Sequence, residues 1–335
     1  MFTTFGDLAT AFHSRSQGAK LRAEMSRLGV ELTTGLKTDI SRAVSGDFGP
    51  IAGIEHDLQT LLAYKTATDE AAILANTTQI ALETIQSQGE DLVSGMLTAT
   101  SSKNVTMVQT TAMDAKQKFH SAVSQLNTDV MGRSLFAGAA TDKAPLISGE
   151  EMLEAIMVAI ASDTNAADIS ASIDAWFDDP AGGFATMAYL GSDNPMGPIR
   201  LGNGEVADLT IRANDQSIKD VLKATVKSAV MAEGALNGSV EQQIELTKIA
   251  AQDLLGANDG LVLARAGIGA VEARVDAAQT RNEAEKSALE ITRSNLISAD
   301  PYDTATELQA AYSQLESLYT VTARMSKLNF TDFMR

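Results

Sequence analysis

Cysteine is absent from this 335-residue chain. Its absence excludes disulfides, thiolate metal sites and cysteine nucleophiles. Aromatics are scarce at 5 %, with a single tryptophan, Trp176. The apolar mass therefore comes from Ala, Leu, Ile, Val and Met, a mix that favours long helices over β-sandwiches. Positive charge is also short: 26 Lys and Arg face 43 Asp and Glu, for a formal net charge of −17. A surface this acidic repels phosphate backbones and anionic lipid, so neither nucleic acid nor membrane is expected as a partner. No stretch approaches the roughly 20 apolar residues needed to span a bilayer, and no membrane insertion is expected. Met1 to Thr10 show no basic region followed by a long apolar run, so no cleavable signal peptide is expected. That leaves a cytoplasmic protein or one exported by a route that reads no such signal.

Catalytic signatures are equally thin. His13, His56 and His120 lie far apart in different expected helices, and no pair has zinc-ligand spacing. Gly267 and Gly269 form a Gly-x-Gly, but no third glycine follows at the required place and no strand precedes it. Glu150-Glu151 and Asp178-Asp179 read as solvated charge at loops or helix ends rather than the facing carboxylates of a glycosidase. No Gly-x-Ser-x-Gly elbow is present. The expectation is no enzyme: no catalytic residue, no cofactor and no metal.

What is there is helical periodicity. Between Asp7 and Thr34, Leu21, Met25, Leu28 and Leu32 alternate spacings of four and three, the a/d seam of a coiled coil or bundle. Gly35, Gly46, Gly49 and Pro50 then punctuate a linker with room for one short turn. Helix resumes from Ile51 to about Thr100, through Ile54, Leu58, Leu61, Ala72, Leu82, Leu92 and Met96. A further helix is predicted over Val105 to Met131, burying Val108, Ala112, Phe119, Val123, Leu126 and Val130.

The middle differs. Four of six prolines, Pro145, Pro180, Pro195 and Pro198, fall between about 140 and 215. Ile199-Arg200-Leu201 and Leu209-Thr210-Ile211 read as short strands around Gly202-Asn203-Gly204, and Glu150 to Ser162 as an amphipathic helix. From Ser217 helix runs to about Ile297, with expected breaks at Gly234, Gly238 and Gly256. Val271, Val275, Ala278, Asn282, Glu285, Leu289, Thr292 and Leu296 keep four–three spacing. Asp300-Pro301 is an N-cap followed by proline at the first helical position, and it predicts a last helix to about Asn329. Its stripe is Leu308, Tyr312, Leu315, Tyr319, Thr322 and Met325, with Leu318, Val321 and Leu328 beside it.

The organisation is nearly symmetric: an amphipathic helix at each end, a break, longer helices, and a non-helical middle. The expected fold is mainly α, an elongated helical-bundle rod whose N- and C-terminal helices pair in a coiled coil, with a central α+β insert. The expected division is 1–40 with 299–335 as a terminal helical domain, 41–141 with 215–298 as a rod, and 142–214 as an insert. The insert's turn-rich composition makes it look dispensable for folding the rest. The terminal helices need a partner, each other or a neighbouring subunit, because isolated helices are marginal.

The local sequences agree with that layout. Met25-Ser26-Arg27-Leu28-Gly29-Val30-Glu31-Leu32-Thr33-Thr34-Gly35 resembles an N-terminal segment of the bacterial flagellin family. Arg265-Ala266-Gly267-Ile268-Gly269-Ala270-Val271-Glu272-Ala273-Arg274-Val275 is similar to that family's Arg-Ala-x-x-Gly-Ala-x-x-Asn-Arg-Leu segment. Asp300-Pro301 with Ala305-Thr306-Glu307-Leu308 is similar to its Asp-x-Ala-Glu-Ala-x-x-Glu-Leu stretch. The three occur in the family's order. The opening lacks the Ile-Asn-Thr-Asn segment usual in filament flagellins. The tail, Ser317 to Phe333, resembles that of the hook-associated junction branch.

The resemblance implies a structural subunit joining hook to filament, secreted and located at the extracellular hook–filament junction of a bacterial-type flagellum. A filament flagellin and a soluble helical secreted or signalling protein without a polymer role are the alternatives. Its implied partners are other copies of itself in a ring or filament, other hook-associated proteins, flagellin, an export chaperone and the flagellar type III export apparatus. The expected assembly interface is Leu21, Met25, Leu28, Leu32, Leu308, Tyr312, Leu315, Leu318, Met325 and Leu328. The resemblance also implies close helix contact at Gly267 and Gly269.

Overall fold

A computed structural model describes residues 5–327. Among these the elements are helical apart from two short hairpins. In order they are α1 (Phe5–Thr34), α2 (Ile40–Ala43), α3 (Gly49–Ser102) and α4 (Val105–Leu126). Then come β1 (Asp129–Val130), β2 (Arg133–Ser134), α5 (Gly149–Ala159), α6 (Ala166–Asp178) and a π-turn at Phe184–Ala188. The chain continues with β3 (Ile199–Gly202), β4 (Glu205–Ala207), α7 (Gln216–Ala229), a 3-10 turn at Val230–Glu233, α8 (Val240–Ile297) and α9 (Pro301–Lys327). The mainly-α expectation holds.

The residues form two compact units, 1–62 with 283–335 and 63–282. The second unit carries one continuous hydrophobic cluster from Ala71 to Ala278. Within it α3 and α8 run antiparallel: Gln279 Nε2 donates to Asp69 Oδ1 at 3.1 Å, and Arg265 donates to Gln86 Oε1 at 2.7 Å. The reason lies in two matched heptads. On α8, Ala250, Leu254, Ala257, Leu261, Ile268, Val271, Val275, Ala278 and Asn282 are buried; on α3, Thr68, Ala71, Ala75, Thr78, Leu82, Ile85, Leu92 and Met96 are. The helix α4 lies antiparallel to α3, with Gln88 Nε2 donating to Ser121 Oγ at 3.0 Å, and it also packs on α5 and α7.

Several boundaries differ from expectation. The fourth helix stops at Leu126 rather than Met131, because Met131 and Gly132 take left-handed φ of 53° and 74° in a turn and Val130 joins a strand. The strand opposite Ile199–Gly202 is Glu205–Ala207, not Leu209–Ile211. Turns at Gly234 and Gly238 do end the helix, but α8 passes Gly256 unbroken. A single glycine costs a helix only about 1 kcal/mol, less than the heptads on either side return. By length and composition α8 is also apolar enough to cross a bilayer, with a third of its apolar window buried in the chain, contrary to the expectation that no stretch comes close. Its buried heptad shows why: a core helix of a folded domain has the same composition.

The residues between 142 and 214 share the cluster of the long helices. Leu146, Met152, Ile156, Ile173, Phe177, Leu201 and Ile211 all belong to it. In α6, Trp176 and Phe177 meet edge to face at 4.9 Å, and Phe184 stacks on Phe177 at 5.2 Å. Gly183 allows this, since a Cβ there would sit 2.0 Å from the Trp176 indole nitrogen. Lys227 of α7 is 2 % exposed and pairs with Asp174 of α6 at 2.8 Å and Asp253 of α8 at 2.6 Å. Removing both carboxylates would strand a buried ammonium.

Candidate assembly surface

Nine of the ten expected interface residues fall on α1 and α9, which pack against each other within the first unit. Pairing is antiparallel. Leu318 lies beside Gly18, so that a Cβ on Gly18 would meet its Cδ2 at 3.5 Å, while at the other end Ala299 N–H donates to Gly35 O at 2.9 Å. The inward face of α1 is Gly18, Leu21, Met25 and Leu28; that of α9 is Thr304, Leu308, Ala311, Leu315 and Leu318. Both keep three–four spacing, so each set lies on one helix face.

The structure sorts the expected residues into three groups. Leu28 is fully buried, and Leu21, Met25, Leu308, Leu315 and Leu318 are half-buried on the inward faces. Leu32 and Tyr312 are exposed, at 39 % and 54 %. Met325 lies within α9, and Leu328 lies outside the described residues. Tyr312 leaves the stripe because Ala311, one position earlier, takes the inward place. Sequence reading missed Gly18, Thr304 and Ala311, since small or polar residues carry no hydrophobic signal. Their spacing of seven between 304 and 311 was the available clue.

A second set of apolar side chains stays in solvent. It comprises Phe12 and Val30 on α1, Tyr302, Tyr312, Tyr319 and Val321 on α9, and Leu36, Ile40 and Phe48 between α1 and α3. Tyr312 and Tyr319 are one heptad apart on a single flank of α9.

The breaks beside the helices are closed by hydrogen bonds. Leu36 and Ser298 form an antiparallel bridge, with Lys37 N–H donating to Ile297 O at 2.8 Å. Asp300 caps α9, accepting from Tyr302 N–H at 2.8 Å and Asp303 N–H at 3.1 Å. Glu31 is 4 % exposed and accepts from Arg27 at 2.9 Å through both oxygens and from Thr38 N–H at 2.9 Å. Burial acts to raise its pKa, but the Thr38 amide and the Arg27 guanidinium outweigh burial and hold it below the usual glutamate range.

The histidines sit on three helices, His13 on α1, His56 on α3 and His120 on α4 beside Phe119. A Cβ at Gly267 or Gly269 would meet nothing within 4 Å, so the close helix contact expected at these glycines is not made among the described residues.

Residues 252–334 match the family model of the bacterial flagellin C-terminal helical region. The fold resembles the crystal structure of Bacillus cereus FlgL, at 15 % identity and a TM-score of 0.51, over 71 % of this chain and 96 % of that one. It also aligns with a putative flagellar hook-associated protein from Vibrio parahaemolyticus, at 12 % identity and a TM-score of 0.49, over 73 % of this chain and 94 % of that one. No curated protein sequence matches the chain.

Proposed function

We propose that this chain is a non-enzymatic structural subunit of the bacterial flagellum that joins hook to filament, as hook-associated protein 3 does. The observation that carries the reading is the antiparallel pairing of α1 with an α9 that lies inside the flagellin C-terminal region. The tail resemblance, running on from Arg324-Met325-Ser326, favours the junction over the filament.

The mechanism is physical. The chain is exported through the flagellar type III apparatus with its terminal helices held by a chaperone. On arrival the inward seams of α1 and α9 close on each other. The exposed side chains, Tyr312 and Tyr319 with Leu32 and Phe12, then bury against neighbouring copies, other hook-associated proteins or flagellin. Burial at roughly 25 cal/mol per Å² offsets the ordering entropy of the contact. In this reading 1–40 with 299–335 is the assembly domain, 41–141 with 215–298 the rod and 142–214 the insert.

Deleting the gene and labelling the restored protein with immunogold tests this. The expected result is hooks without filaments, flagellin released into the medium, and gold confined to the distal end of the hook after complementation. Gold along the filament would make the chain a filament flagellin. Normal filaments in the deletion strain would sink the flagellar reading.

A further inference from the structure

Glu31 is the only buried carboxylate among the described residues. It sits on the inward side of α1, one position before Leu32, which the four–three spacing would have turned inward but which is exposed. Its partners explain the placement. Arg27, one turn earlier, neutralises it, and Thr38, seven residues on, donates a backbone N–H to it. Glu31 thus folds residues 35–39 back over the end of α1. That fold presents Gly35 and Lys37 to Ala299 and Ile297 in the bridge at the start of α9. A single carboxylate therefore supports the clasp that brings the end of one terminal helix to the start of the other.

The charged groups facing this site come from three directions. Arg27 and Glu24 lie on α1, and Glu24 is 3.6 Å from the Arg27 guanidinium. Lys37 and Asp39 come from the segment after it. Asp300, Asp303 and Glu307 line the same cleft from the N-terminal end of α9. Carboxylates outnumber cations around Glu31, so its charge depends on the Arg27 and Thr38 contacts.

We propose that Glu31 is an acid-sensitive latch on the terminal helix pair, and that its protonation releases residues 35–39 and opens the clasp between α1 and α9. The biological weight of the latch rests on the terminal pair being the assembly element; the latch itself is a property of the free chain. A protonated Glu31 loses its ion pair with Arg27 and weakens its hold on the Thr38 amide. The sign follows from the depressed pKa. The latch contributes in full above the ordinary glutamate value of about 4.3, and the contribution disappears as pH falls through the lower folded-state value. Opening uncovers Leu28, so acid loosens the seam from the α9 N-terminal end.

Amide hydrogen exchange on the full chain tests this, with protection factors at Thr38, Lys37 and Ala299 followed from neutral pH downward. Wild type is expected to lose about tenfold protection at Thr38 below the ordinary glutamate pKa, reversibly. Glu31→Gln should show that loss already at pH 7 and no further acid step. Arg27→Met should move the wild-type step to higher pH. Amides of α4 and α7 report on folding elsewhere; if Glu31→Gln unfolds them too, the Arg27→Met shift decides. Full protection in Glu31→Gln, or an acid step that survives in it, would overturn the latch. Hook attachment plays no part in this measurement, so a failed latch leaves the flagellar reading standing, and a failed flagellar reading leaves the latch testable.

Discussion

The two units use one helical grammar and end in opposite states. In residues 63–282 the four–three stripes close on a common cluster, and large side chains such as Phe119, Phe136, Leu82 and Met96 are fully enclosed. In the terminal unit the same spacing yields one buried leucine on α1 and a row of half-buried ones, with Phe12, Tyr302, Tyr312 and Tyr319 in solvent. Periodicity alone therefore does not make a core. A stripe is buried to the depth that its neighbours allow: α3 and α8 each meet several elements, while α1 and α9 meet chiefly each other. Two helices enclose one narrow seam between them and leave their flanks wet.

The largest effect is expected from excising residues 142–214 and joining the ends with a Gly/Ser linker. Because Leu146, Met152, Phe177 and Ile211 lie in the shared cluster, cooperative melting of unit 63–282 is expected to disappear. Calorimetry checks it, and a retained sharp transition would show that the insert is separable after all. Next in size is Phe119→Ala, which removes a fully enclosed ring from α4. It is expected to cost about 3–5 kcal/mol, read from denaturant midpoints.

Leu28→Ala tests the terminal unit by the same kind of truncation. Leu28 is 1 % exposed, as enclosed as Phe119, but its surroundings are a two-helix pair free to relax. A cost of about 2 kcal/mol is expected, the low end for such a truncation. It should appear as faster proteolysis within α1 and α9 with the melting of residues 63–282 unchanged. A loss of stability in both units would contradict their separation. The smallest thermodynamic effect belongs to Tyr319→Asp, on the exposed flank of α9. Stability should stay within about 0.5 kcal/mol of wild type. Filament attachment should nevertheless fail if that flank is buried on assembly, with flagellin appearing in the culture medium. Normal swimming would remove the flank from the interface. Tyr319 is a cleaner site for this test than Leu315, because Leu315 faces inward and a charge there would disturb the monomer.

The inward face of α1 and the cap of α9 are legible in the sequence. Leu21, Met25 and Leu28 stand where their spacing puts them, and Asp300 caps α9 as an Asp-Pro pair should. What was hidden carries no apolar signature. Gly18 and Ala311 are inward because a close approach needs small residues. Glu31 is inward because Arg27 and Thr38 satisfy its charge. Tyr312 was placed one position off the seam for the complementary reason: its apolar ring suggested burial, and its smaller neighbour took the site.

Local physics, then, was sufficient for the helices themselves, their caps, the breaks at Gly35, Gly234 and Gly238, and the mainly-α class, since each depends on residues within a turn or two of one another. Tertiary structure alone decided which stripe became a core. It also merged the proline-rich middle into the cluster of α3, α4, α7 and α8, carried α8 through Gly256, and gave Lys227 two carboxylates from two other helices. Burial and ion pairing of this kind join residues tens to hundreds of positions apart, and no local pattern records which distant partner will arrive.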